Sequence, residues 1–136
     1  NSLILSPIHL ENKEEKYFIT ENQIEVKVPL NLSFCKAADI SFDSNKTIFV
    51  DADKLQYPLI LRHWNKGDSF QPFGMNGKSK KVSKLFKDEK LSLVEKENSW
   101  LLCSNDEIVW IIGLRQDERF KIENTTTNRL KIQLEE

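Results

Sequence analysis

Residues Leu61–Phe86 read LRHWNKGDSFQPFGMNGKSKKVSKLF and hold three of the chain's four glycines together with its densest group of lysines. Within this stretch Val82, Leu85 and Phe86 fall at i, i+3 and i+4, the spacing that gives a helix one apolar edge. Ser79 is placed to cap that helix. At the helical step, Lys80, Lys84 and Lys87 lie opposite the apolar edge, with Lys81 beside them. Gly67, Gly74 and Gly77 supply turns that side chains would hinder. A short helix with one apolar edge must dock on something, and the residues around it read as strands. The stretch therefore predicts an α+β domain that is mainly β.

The placement of the lysines says more than their number. With Ser79 as cap, Lys80 and Lys81 occupy the first helical turn, where the macrodipole is positive and cations are disfavoured. Phosphate in front of them would make sense of that arrangement. The sequence Gly74–Ser79, GMNGKS, invites comparison with a nucleotide-binding P-loop. That motif needs a glycine five positions before Gly77, where this chain has Pro72, and Asp68–Phe73 does not read as the buried strand it must follow. ATP binding at this loop is rejected.

Charge is distributed unevenly. From Tyr57 to Lys90 there are eight basic and three acidic side chains, a net of +5, while residues 1–56 and 91–136 each carry six basic and nine acidic groups. The overall charge of −1 conceals a basic segment suited to a polyanion.

Outside this segment the chain alternates apolar and polar residues as half-buried strands do. Ile24, Val26 and Val28 form one set, and Leu130, Ile132 and Leu134 another. Thr47–Val50 and Leu59–Leu61 read as short buried strands. Trp100–Ser104 and Ile108–Ile112 flank Asn105, Asp106 and Glu107, which predicts a hairpin. Pro29, Pro58 and Pro72 mark strand ends or turns. A second short helix is expected over Leu91–Asn98, and Glu11–Lys16 reads as a loop or the end of an incoming helix. The closely spaced strands favour a layered antiparallel β-sandwich with one or two short helices.

At 136 residues the chain is one domain, or one domain with an appendage. No apolar run matches a membrane span. The first residue is Asn, so a piece of a longer protein is expected. Residues 1–16 read as an amino-terminal arm or linker, and residues 17–136 as the domain. Cys35 and Cys103, each in an apolar context, are expected to be buried free thiols. His9 and His63 lack spaced partners that would suggest a metal, and no catalytic constellation is found. Asp117 and Glu118, between Arg115 and Arg119, are expected to form a local ion-pair network. Trp64, Trp100 and Trp110 are expected in the core.

The run of Leu61, Arg62, Trp64, Gly67, Asp68, Phe70, Pro72, Gly74, Met75, Gly77, Lys78, Lys80, Lys81 and Ser83 resembles the carboxy-terminal domain of bacterial tRNA(Ile)-lysidine synthetases. The likeness continues through Asp88, Lys90, Glu95 and Lys96 and then Glu107–Ile111, Gly113, Arg115, Asp117, Arg119 and Phe120. It covers about residues 55–134, the motif-bearing part. The resemblance implies a fold shared with a domain of phenylalanyl-tRNA synthetase. It also implies a cytoplasmic parent enzyme that uses ATP, with Mg2+, to join L-lysine to the wobble cytidine of tRNA(Ile). Catalysis in the family belongs to an amino-terminal domain with a Ser-Gly-Gly-x-Asp-Ser loop, and no Gly-Gly pair occurs here. The implied role of this fragment is non-catalytic and cofactor-free: to hold the tRNA near its acceptor stem, beside the parent's catalytic domain, with neither membrane nor DNA as partner.

The expected phosphate contacts are Lys78, Lys80, Lys81 and Lys84, with Arg62 and Arg115 in support; no catalytic or metal-binding residue is expected. A-form duplex is read through shape and backbone, which suits a lysine stripe. The competing reading is a protein-interaction module whose basic strip meets an acidic partner or the parent's catalytic domain. A third makes the glycines and lysines serve turns and solubility alone.

Overall fold

Strands form where branched and aromatic residues recur at every second position, and their pairing places two apolar faces against each other. In the computed structural model, which describes residues 15–37 and 45–135, eleven strands and two α-helices follow this logic. A five-stranded antiparallel sheet has the order β1 (Lys16–Ile19), β5 (Leu59–Arg62), β8 (Leu101–Ser104), β9 (Glu107–Ile111), β10 (Arg115–Gln116). A four-stranded sheet has the order β2 (Glu25–Val26), β3 (Asn31–Lys36), β11 (Arg129–Glu135), β4 (Thr47–Asp51). A two-stranded ribbon, β6 (Ser69–Phe70) with β7 (Lys80–Lys81), leads into α1 (Val82–Asp88), and α2 (Leu93–Glu97) follows.

Alternation divides the core in two. Leu59 and Leu61 of β5 and Leu102 of β8 face Val26, Leu32, Phe34, Ile48, Val50 and Ile132 of the other sheet. Ile60, Leu101 and Cys103, one residue out of phase, face α1 and the ribbon. A bulge keeps both cores supplied: register shifts between Leu102 and Cys103, so Leu102 pairs Trp110 while Cys103 pairs Ile108. Val109 is the extra residue, and it and Trp110 both turn into the inter-sheet core. The result is sheet on sheet with a helix layer outside the five-stranded sheet. The layered, mainly β architecture is as expected, including the hairpin at Asn105–Asp106 and a short helix within Leu91–Asn98. The described residues contain no helix long and apolar enough to cross a membrane.

Three expectations are corrected. Only Val26 of the Ile24, Val26, Val28 set is buried; Ile24 and Val28 are exposed, because β2 is a two-residue edge strand. Cys35 is exposed, since on β3 it points outward with Ser33 between the inward Leu32 and Phe34. Cys103 is buried as expected, and burial pushes its thiol up to about 11. Of the tryptophans, Trp110 is fully buried, while Trp64 and Trp100 are half-buried. The segment 1–14 lies outside the described residues, so β1 at Lys16 is the first element that can be placed.

Candidate nucleic-acid interface

The lysine-bearing segment is built from the sheet outward. Arg62, at the end of β5, reaches Asp68 by two parallel bonds, Nη1 to Oδ2 at 2.9 Å and Nη2 to Oδ1 at 3.1 Å. Burial alone would lower the Arg62 pKa; the Asp68 bond and charge hold it above its ordinary value. The Asp68 carboxylate also accepts from the Asn65 amide at 2.7 Å, closing the turn at Gly67, whose φ is +99°. Its carbonyl accepts from the Val82 amide at 3.0 Å. A single aspartate thus ties strand, turn and helix together.

That last bond changes the reading of the helix start. Lys80 and Lys81 are strand residues, not the first helical turn, and α1 begins at Val82. Ser79 does not cap it; Lys81 occupies the N-cap position with no side-chain bond. The sequence suggested a longer helix because the spacing of Val82, Leu85 and Phe86 does not specify where the helix begins. β6–β7 pairing, Ser69 with Lys81 and Phe70 with Lys80, then takes the two lysines into the ribbon. The argument from lysines opposed to a dipole therefore falls away. The apolar edge is as expected, with Val82, Leu85 and Phe86 buried. Phe86 meets Trp64 edge-on at 5.2 Å between ring centres.

The ribbon's connecting loop, residues 71–79, is held from beneath by residues 115–121. Asp117 is fully buried. It accepts from the Gln71 amide at 2.8 Å, the Arg119 amide at 2.7 Å and the Arg119 guanidinium at 2.9 and 3.0 Å. Its own amide bonds Val109 O at 2.9 Å, on the bulge. Pro72 bridges Asp117, the Phe73 amide bonds Gln116 O, and Arg115 Nη2 donates to Phe73 O at 2.9 Å. Glu118 accepts from the Gly74 amide at 2.9 Å and pairs with Lys121. These two contacts, the Lys121 bond foremost, hold its carboxyl below the usual range. Of the ion-pair network expected of Asp117 and Glu118 between Arg115 and Arg119, the Asp117–Arg119 pair is present; Glu118 pairs with Lys121 instead, and Arg115 donates to a carbonyl, because the loop backbone lies where its carboxylate partner was expected. The role of these residues as the seat of the glycine loop was not foreseen. On the loop itself, Gly74 and Gly77 have φ of +89° and +83°, as their turns require.

The basic residues divide by what they touch. Lys80 is mostly buried, and its ammonium lies 2.6 Å from Asp88. Lys84, 64% exposed, approaches the other Asp88 oxygen at 3.6 Å. The Lys80 bond, then the charges of Lys80 and Lys84, hold the Asp88 carboxyl below its ordinary value. Lys66, Lys78, Lys81 and Lys87 are exposed, and none has an ion-pair partner among the described residues. Asp88 as a partner for Lys80 and Lys84 was missed from sequence, although the i, i+4 spacing of Lys84 and Asp88 signals half of it. His63 is structural: its ring lies 3.9 Å from that of Trp100, and Nδ1 contacts Ser99 O at 3.1 Å.

A β-sandwich with a glycine-shaped ribbon, its lysines turned outward from a buried acidic seat, defines a module with a cationic surface. The chain belongs to the family described as the TilS substrate C-terminal domain, whose profile matches residues 59–133. It is 47% identical over 122 residues to a tRNA(Ile)-lysidine synthase of Parabacteroides distasonis, covering 86% of this chain and 28% of that protein. A Clostridium tetani protein of the same name is 35% identical over 131 residues, 92% of this chain and 27% of the relative. The chain thus spans little more than a quarter of the length of these curated relatives. A crystal structure of a TilS C-terminal domain superposes with a TM-score of 0.70 at 21% identity, over 88% of this chain and 95% of the other. That likeness establishes the shared fold.

Proposed function

We propose that this domain grips tRNA(Ile), by the backbone of its acceptor stem, for a cytoplasmic tRNA(Ile)-lysidine synthase. The ATP-dependent joining of lysine to the wobble cytidine lies in the remainder of the enzyme's length, beside which this domain works without catalytic residues of its own. The observation that carries this reading is the set of exposed lysines on one loop, ribbon and helix, most of them without an ion-pair partner among the described residues, in a chain whose family is described as a substrate domain. Lys78, Lys81 and Lys84 contact phosphate. Lys80 and Arg62, each bound to an aspartate, hold the frame that presents them. Flexible ammonium groups on a rigid ribbon suit a duplex recognised by shape, because they neutralise phosphate without reading bases.

Replacing Lys78, Lys81 and Lys84 by Ala is the test. The triple variant keeps the wild-type unfolding midpoint, loses affinity for tRNA, and its salt dependence flattens by about one unit of log–log slope per lost contact. Undiminished affinity with an unchanged slope would reject the grip. Binding of an acidic protein with tRNA affinity intact would favour the protein-interaction alternative.

A further inference from the structure

A cavity of about 140 Å³ opens between the start of β4, the loop at Phe73 and strand β10. Ile48, Phe73 and Trp110 give it apolar walls, while Asn45, Thr47, Arg115 and Gln116 bring polar groups to it. Arg115 is half-buried, and the only bond the described residues give its guanidinium runs from Nη2 to Phe73 O. Its other N–H groups have no protein partner among those residues. Gln116 spends its amide N–H on Phe49 O at 3.0 Å, which leaves its side-chain oxygen as an acceptor. A ring-sized hollow with a guanidinium fork, an acceptor and a hydroxyl around an apolar floor is chemistry for a planar heterocycle with polar edges. Phe73 is shared between this cavity and the glycine loop that carries Lys78.

We propose that this cavity takes one unpaired pyrimidine base of an RNA whose backbone lies on the lysine strip. The size favours a single ring: a dry cavity of about 150 Å³ holds one benzene. RNA-binding proteins take sequence information mainly from such splayed bases, because the deep groove of an A-form duplex is closed to side chains. Arg115 donates to a carbonyl on the base edge, and the Gln116 oxygen and Thr47 hydroxyl complete the set. This inference rests on the tRNA reading for the source of the base, but the cavity can be probed without the lysines.

The test titrates uridine 5′-monophosphate into the whole chain, following Trp110 fluorescence and the amide resonances of Thr47, Arg115 and Gln116. It then compares a blunt RNA hairpin with the same hairpin carrying two unpaired 3′ uridines or two unpaired 3′ adenosines. The nucleotide is expected to perturb those three amides, and the uridine overhang to bind about tenfold tighter than the blunt hairpin. Thr47→Leu, which fills the cavity, removes both effects and leaves blunt-hairpin affinity and salt slope in place. Arg115→Lys, which keeps charge but loses the fork, abolishes the nucleotide response. If the blunt hairpin binds while neither the nucleotide nor the overhang does anything that Thr47→Leu removes, the pocket is overturned and the grip stands. An equal gain from adenosine overturns the pyrimidine assignment. If the nucleotide binds at these residues but no hairpin does, the grip fails and the base site survives.

Discussion

The glycine loop has an underside and an outer side, and the two handle charge in opposite ways. Beneath it, Asp117, Glu118, Arg119 and Lys121 are all paired, and Asp117 alone takes four hydrogen bonds in complete burial. On its outer side Lys78, and on the adjoining turn, ribbon and helix Lys66, Lys81 and Lys87, are exposed with no ion-pair partner among the described residues. A count along the chain misses this division. The segment of net +5 includes Arg62 and Lys80, which are neutralised by Asp68 and Asp88, whereas the acid that supports the loop comes from the net-negative flank. Buried charge fixes where backbone goes; unpaired surface charge is what remains for a partner.

The largest effect should come from breaking the seat. Asp117→Ala would leave the Gln71 and Arg119 amides without their acceptor and the Arg119 guanidinium with Glu107 as its one remaining carboxylate. Each buried donor left without its acceptor costs roughly 1–3 kcal/mol. Equilibrium unfolding in urea should show that loss, and tRNA binding should weaken even though no lysine has changed. A loss below about 1 kcal/mol would mean that the β6–β7 ribbon and α1 hold the loop without Asp117, and the division into seat and surface would collapse.

A smaller effect should follow from changing the loop's shape alone. At Gly77 an added Cβ would meet only Gln71 Oε1 at 4.0 Å, so space is available and the cost of Gly77→Ala is the positive φ itself. That strain is worth about 1–2 kcal/mol. Gly77→Asn should be milder, since the neighbouring Asn76 already adopts a φ of 55°. Thermal unfolding of the two variants checks the order. Equal losses for Ala and Asn would point to packing and not to backbone conformation.

How much of this was legible in the sequence follows from the range of each interaction. The apolar edge of α1, the hairpin at Asn105–Asp106 and the glycine turns are set by residues a few positions apart, and they read correctly. The helix start did not, because the competitor for Lys80 and Lys81 was β6, and strand pairing across residues 69–81 leaves no local mark. Cys35 misled for a related reason: which face of β3 is inward depends on β11, nearly a hundred residues later, pairing Cys35 with Lys131. The seat joins Gln71 to Asp117 across 46 positions, so the sequence disclosed the Asp117–Arg119 pair but not what it carries. The cavity at Arg115 brings together residues 45–48, 73 and 110–116, and no single stretch announces it.

The finest contrast lies within the lysines themselves, between those held by Asp88 and those free of it. Asp88→Asn would release Lys80 and Lys84 without adding or removing a cation. Two consequences separate cleanly. Because the Asp88 carboxyl is held below its ordinary value, its contribution to stability is complete above the carboxylate range. That contribution is lost as pH falls through the depressed value, so the variant should lose this part of the acid sensitivity. If the bond to Asp88 withholds Lys80 from RNA, affinity should rise a few-fold and the log–log salt slope should steepen by about one unit. A weaker complex with an unchanged slope would show instead that Asp88 orients Lys84 toward phosphate, and the line between holding and contacting residues would have to be redrawn at Lys84.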